Sequence, residues 1–128
     1  MPITLDFRDN GVIIWERGVI TDDQFLNAEY EIYDHKFKGD FQYQLAVMSE
    51  VTDFHVSSET MLKVAEIDKN HPNKCKQYAV VVAASDKIFG MCRQWNMNSE
   101  DDLFITNVVR NLDDALSWFR KHDIEIKI

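Results

Sequence analysis

Tyr78-Ala-Val-Val-Val-Ala-Ala84 is the stretch that decides the fold. It is continuously apolar, with no polar alternation, and it breaks at Ser85-Asp86 into a helical pattern. A strand of that kind needs cover on both faces, and connecting helices supply it. The same unit follows directly. Leu103 to Val109 is a second apolar run, and it breaks at Asn111 into a helix over Asp113 to Lys121. Asn111 is a favoured cap, and Asp113 and Asp114 complement the positive end of that helix.

Working back from Tyr78, a helix opens at Ser57-Ser58-Glu59, carries Met61, Leu62 and Ala65, and ends before His71-Pro72. Phe41 to Met48 reads as a strand, with Ser49 to Val56 as a loop beyond its carboxyl end. Before it, Thr21 and Gln24 have the spacing of a capping box. Phe25, Leu26, Tyr30, Tyr33 and Phe37 follow at helical spacing, and Gly39 is a stop signal. At the start, Ile3 to Asp9 alternates, Asp9-Asn10-Gly11 is a hairpin turn signal, and Val12 to Glu16 is the returning strand.

Working forward, Ile88, Met91, Cys92 and Trp95 make an i, i+3, i+4, i+7 stripe, followed by a polar loop over Asn96 to Asp102. The tail Ile124 to Ile128 alternates, as a short edge strand does, or packs on the body. The predicted order is β-β-α-β-α-β-α-β-α. That is one α/β domain over residues 1–128, its mixed sheet opening on an antiparallel hairpin and continuing in parallel strands under about four helices. The β-α-β units cross over right-handedly.

Composition narrows the partners. The formal net charge is −8, the wrong sign for a phosphate backbone or an anionic membrane. No run approaches the roughly 20 apolar residues of a membrane span, and Met1 to Arg8 lacks a signal-peptide layout. Two cysteines, Cys75 and Cys92, with no CxxC, fit a reducing cytoplasm and no structural zinc. The four histidines, His35, His55, His71 and His122, have no metal-ligand spacing, and no cofactor motif occurs. The four glycines are scattered, which removes Walker and Rossmann loops. Gly90, inside a helix, is read as a close-packing position or as an open ligand path, close packing being the commoner. There is no Gly-x-Ser-x-Gly elbow, and Asp53, His55 and Ser57 sit too close in sequence for a relay. The expectation is a protein that is not an enzyme.

The run from Tyr78 through Ile88-Phe-Gly90-Met91 to Phe104-Ile-Thr-Asn-Val-Val-Arg110 and Ala115-Leu-Ser-Trp118-Phe resembles the SpoIIAA-like family of small bacterial STAS-type domains. These are packing motifs. The resemblance implies a regulatory or protein-interaction module; the family's grouping with CRAL-TRIO-like folds implies, as an alternative, a small apolar ligand or lipid. Relatives that act as phospho-switches carry Asp-Ser-Ser-Gly at the start of the second helix. The matching stretch here is Val56-Ser57-Ser58-Glu59, so Ser57 and Ser58 are the candidate phosphorylation or partner-binding residues. Glu59 in place of glycine would repel a phosphate, and serine is also a good helix cap.

Other candidates come from position. His55 lies past a strand's carboxyl end, where open α/β sheets bind ligands. Phe89, Met91 and Trp95 are candidates for a ligand or interaction surface, because one helical face cannot absorb every apolar residue of this segment. The hairpin edge and the surplus apolar residues favour a homodimer.

Overall fold

The computed structural model describes residues 2–35, 41–70 and 76–128. Phe37, Gly39, His71, Pro72 and Cys75 lie outside the described residues. The order is β1 (Ile3–Phe7), β2 (Gly11–Thr21), α1 (Asp22–Asp34), β3 (Tyr43–His55), α2 (Ser58–Asn70), β4 (Gln77–Val82), α3 (Asp86–Ser99), β5 (Phe104–Val109) and α4 (Leu112–Lys121). The five strands lie in sequence order, with β1–β2 antiparallel and β2–β3, β3–β4 and β4–β5 parallel. This is the expected mixed sheet.

Burial follows the sequence pattern. β4 is buried almost throughout, whereas β5 alternates as the outermost strand. On one face, Met48, Ala79, Val81 and Phe104 pack with Met61, Val64 and Ala65 of α2 and with Ile88, Cys92 and Trp95 of α3. Phe25 and Leu26 of α1 join that cluster, so the three crossover helices share one face. On the other face, Ile13, Tyr43, Leu45, Val80 and Val82 pack under Ala115 and Phe119 of α4. With every crossover on one side, β2 to β5 have no topological switch point and so no crevice of the Rossmann kind.

Helix starts are fixed as the sequence indicates. Thr21 and Gln24 close the capping box. Ser85 Oγ accepts from the Ile88 N–H, and Asn111 Oδ1 accepts from the Asp114 N–H.

Three local readings are corrected, and the tail takes the second of its two expected arrangements, packed on the body. Ser49 to His55 is strand: β3 runs on to His55 beside a β2 that reaches Thr21, well past Glu16. That extension is mostly exposed, so backbone pairing and not apolar alternation defines it; Phe54, edge-on to Phe25, anchors it with Val51. Asn96 to Ser99 belong to α3, because Ser99 continues the Cys92 and Trp95 stripe and bonds the Trp95 carbonyl. The tail forms no strand: Ile124 is buried in the α4-side cluster, and Arg8 Nη1 donates to the Lys127 carbonyl at 2.7 Å. Gly90 is exposed, with open space where a Cβ would stand, so close packing does not explain it. No helix among the described residues is long and apolar enough to cross a membrane.

Candidate functional site

Three carboxyl groups lie inside the three-helix face. Glu16 continues the inward phase of Val12 and Ile14 on β2 and is 4% exposed. Glu29 projects from α1 between Phe25 and Ile32 and is 6% exposed. Asp68 continues the Met61, Val64 and Ala65 face of α2 and is 2% exposed. Together with Trp95, Met48 and Met61 they line a cavity of about 60 Å³ between α1, α2, α3 and the sheet. That space admits a few water molecules or a small ligand.

Asp68 is held on both oxygens. The Tyr33 hydroxyl donates to Oδ1 at 2.5 Å, and the Trp95 indole N–H donates to Oδ2 at 2.7 Å. The Glu29 carboxyl bonds it as well. Gln44 Nε2 donates to the Tyr33 oxygen and to Gln77 Oε1, both at 3.2 Å, tying β3 and β4 to the network.

Burial sets the protonation. It pushes Asp68 up to about 6, against the opposing pull of the three hydrogen bonds. It pushes Glu16 up to about 8. Glu29 is raised well above the ordinary range, first by burial and then by the Asp68 charge. Near neutral pH the arrangement is therefore an ionised Asp68 receiving a proton-bearing Glu29, with Glu16 mainly neutral. Two oxygens, Glu16 Oε1 and Glu29 Oε2, are buried without a hydrogen-bond partner. Buried polar atoms without partners are rare and costly, and they mark the cavity as a polar site with unused bonding capacity. Among the described residues no group of three His, Cys, Asp or Glu has the arrangement to hold a metal ion.

The residues singled out from sequence fall elsewhere, with one exception. Trp95 is that exception: it faces inward and orients Asp68. Phe89 and Met91 are half-buried on α3, with the Arg110 guanidinium 4.0 Å from the centre of the Phe89 ring. Arg110 is pinned there by Asp86 at 2.8 Å and by the Ala84 carbonyl. His55 is exposed at the tip of β3, opposite Thr21. Ser57 and Ser58 are exposed beside it. Ser57 Oγ accepts from the Thr60 N–H at 3.1 Å, and the Ser57 N–H donates to Asp22 Oδ1 at 2.8 Å. Ser57 thus caps α2 and ties it to the start of α1.

Glu16, Glu29 and Asp68 were missed in the sequence reading, although a signal existed. Each is a carboxylate in phase with an apolar stripe, a position where an acid is seldom buried without a role.

No family model matches the chain, and no curated protein matches it. A solved structure of an uncharacterised protein from the DUF3478 family, with a SpoIIAA-like fold, from Shewanella loihica PV-4, is similar at 12% identity and a TM-score of 0.54. The match covers 91% of this chain and 90% of that one. The likeness carries the fold, and the chain has the SpoIIAA-like architecture that its Tyr78–Phe119 region resembles.

Proposed function

We propose that this domain is a non-enzymatic binding module for a small molecule, taken into the cavity beneath α1. The observation that supports this reading is the pair of unpartnered carboxyl oxygens, on Glu16 and Glu29, around a largely apolar space. A chain that needed only a core would fill such a site with apolar side chains, because an unsatisfied buried acid costs stability. The cavity is far too small for a lipid chain, so the apolar-ligand reading narrows to compact amphipathic molecules. The regulatory reading draws its support from Ser57 and Ser58. Ser57 has a capping role, and Asp22 and Glu59 stand beside it, a setting that disfavours a phosphate. The buried Cys92 thiol suits a reducing cytoplasm.

The test is a thermal-shift series on the full chain with compact alcohols, amides and amines of about two to five heavy atoms, the size range such a cavity admits. A saturable rise in Tm, abolished by Ala28→Leu on the cavity wall, supports the reading. Flat responses to the whole series would remove it.

A further inference from the structure

We propose that the cavity ligand is a small primary alkylammonium ion, its charged head held between Glu16 and Glu29 and its short tail against the apolar wall. This rests on the small-molecule reading above and assigns the chemistry of the same site.

The assignment follows from which bonding capacity is left over. Apart from the proton of the Glu16 carboxyl itself, the donors at the site are already used: Tyr33 O–H and Trp95 N–H both go to Asp68, and Gln44 goes to Tyr33 and Gln77. What remains are two carboxyl oxygens, Glu16 Oε1 and Glu29 Oε2. A ligand that completes the site must therefore bring donors. An ammonium head brings three and no acceptor. An alcohol brings one donor, enough for only one of the two oxygens.

Charge agrees. The titratable groups lining the cavity are Glu16 from β2, Glu29 from α1, Asp68 from α2 and Cys92 from α3, with Tyr33 of α1 behind them on Asp68. No lysine, arginine or histidine lines it among the described residues. The charge the site carries near neutral pH, on Asp68, has no cation beside it in the cavity wall, and a bound cation would balance it. Phe25 and Trp95 add aromatic rings to the wall, and Met48 and Met61 make it soft and apolar. The −8 net charge of the chain draws cations toward the surface. The 60 Å³ volume limits the guest to a few heavy atoms, the range from methylammonium to propylammonium.

Binding also moves a proton. Below about pH 8 the empty site holds Glu16 as the neutral acid. When the ammonium head settles, the Glu16 O–H bond breaks, its proton passes to buffer, and the carboxylate pairs with the cation, which keeps its own N–H protons.

The experiment is isothermal titration of the full chain with propylammonium chloride at pH 7, in phosphate and in Tris, with 1-propanol and sodium chloride as controls. The expected result is saturable binding at least ten-fold tighter than for 1-propanol. Its apparent heat should differ between the two buffers by the ionisation heat of between half a proton and one. Glu16→Gln and Glu29→Gln should each weaken propylammonium at least ten-fold, and by a larger factor than they weaken 1-propanol. If either variant fails to fold, the buffer dependence of the unaltered chain decides. Equal affinity for 1-propanol and propylammonium would overturn the amine assignment and leave the small-molecule reading intact. Absence of saturable binding by either would overturn the amine assignment, and a flat thermal-shift series beside it would overturn the small-molecule reading as well.

Discussion

Asp68 accepts from a phenol and an indole and is bonded by a second carboxyl, all within a buried network. Asp68→Asn replaces one acceptor oxygen with a donor that faces a donor. It should cost about 2–4 kcal/mol, the range for stranding buried partners, read by urea unfolding. At Ser57 the geometry assigns a cap, so Ser57→Ala should cost about 1 kcal/mol. The measurement is the shift in unfolding midpoint; a neutral result would remove the capping role. Two glycines give opposite expectations. A Cβ at Gly11 would overlap the Tyr43 ring, so Gly11→Ala should destabilise. Gly90 is exposed on α3 with open space around it, so Gly90→Ala should stabilise by about 1 kcal/mol. The sequence marks both as glycines but not which has a neighbour, because that depends on a ring 32 residues away in β3.

α1 differs from the other two helices on its face. Its three fully buried residues are Glu29, Ile32 and Tyr33, and two of these are polar. α3 instead buries Ile88, Cys92 and Trp95, with Ser99. A helix seated on a polar seam loses its hold when the seam ionises, so α1 is the natural lid of the cavity. Its amides should exchange with solvent faster than those of α3, and the gap should widen from pH 5 to pH 9. Equal protection at both pH values would contradict this.

Element placement was legible wherever one local rule governed it. Thr21 with Gln24, and Asn111 with Asp114, announce helix starts. The unbroken Tyr78–Ala84 run announces a buried strand. The β2–β3 extension was illegible because its residues are mostly polar and exposed, with backbone pairing and a few scattered apolar anchors, Ile20, Val51 and Phe54, holding it. The acid cluster was hidden for a different reason: Glu16, Glu29 and Asp68 come from three elements, and only the sheet and the helix packing bring them together.

For the molecule as a whole, the raised carboxyls set a pH dependence whose sign is definite. Glu16 has a folded value of about 8 against an ordinary 4.5. Asp68 has about 6 against 3.8. Between the unfolded and folded values the folded state binds more protons, so raising pH destabilises it. The penalty is absent below the ordinary carboxyl range. It grows by up to about 1.4 kcal/mol per pH unit for each such group, and for Glu16 it is complete above about 8. Tm should therefore fall from pH 5 to pH 8, and Glu16→Gln should flatten the slope. A Tm that rises over that interval would count against the buried-acid account.

The most direct test is a carbon-13 NMR titration of the glutamate and aspartate carboxyls in the folded chain, with and without propylammonium. The account predicts that Glu16 titrates near 8 in the empty protein and shifts to lower pH when the amine is present. A Glu16 carboxyl that titrates in the ordinary range near 4.5, unmoved by the amine, would contradict it.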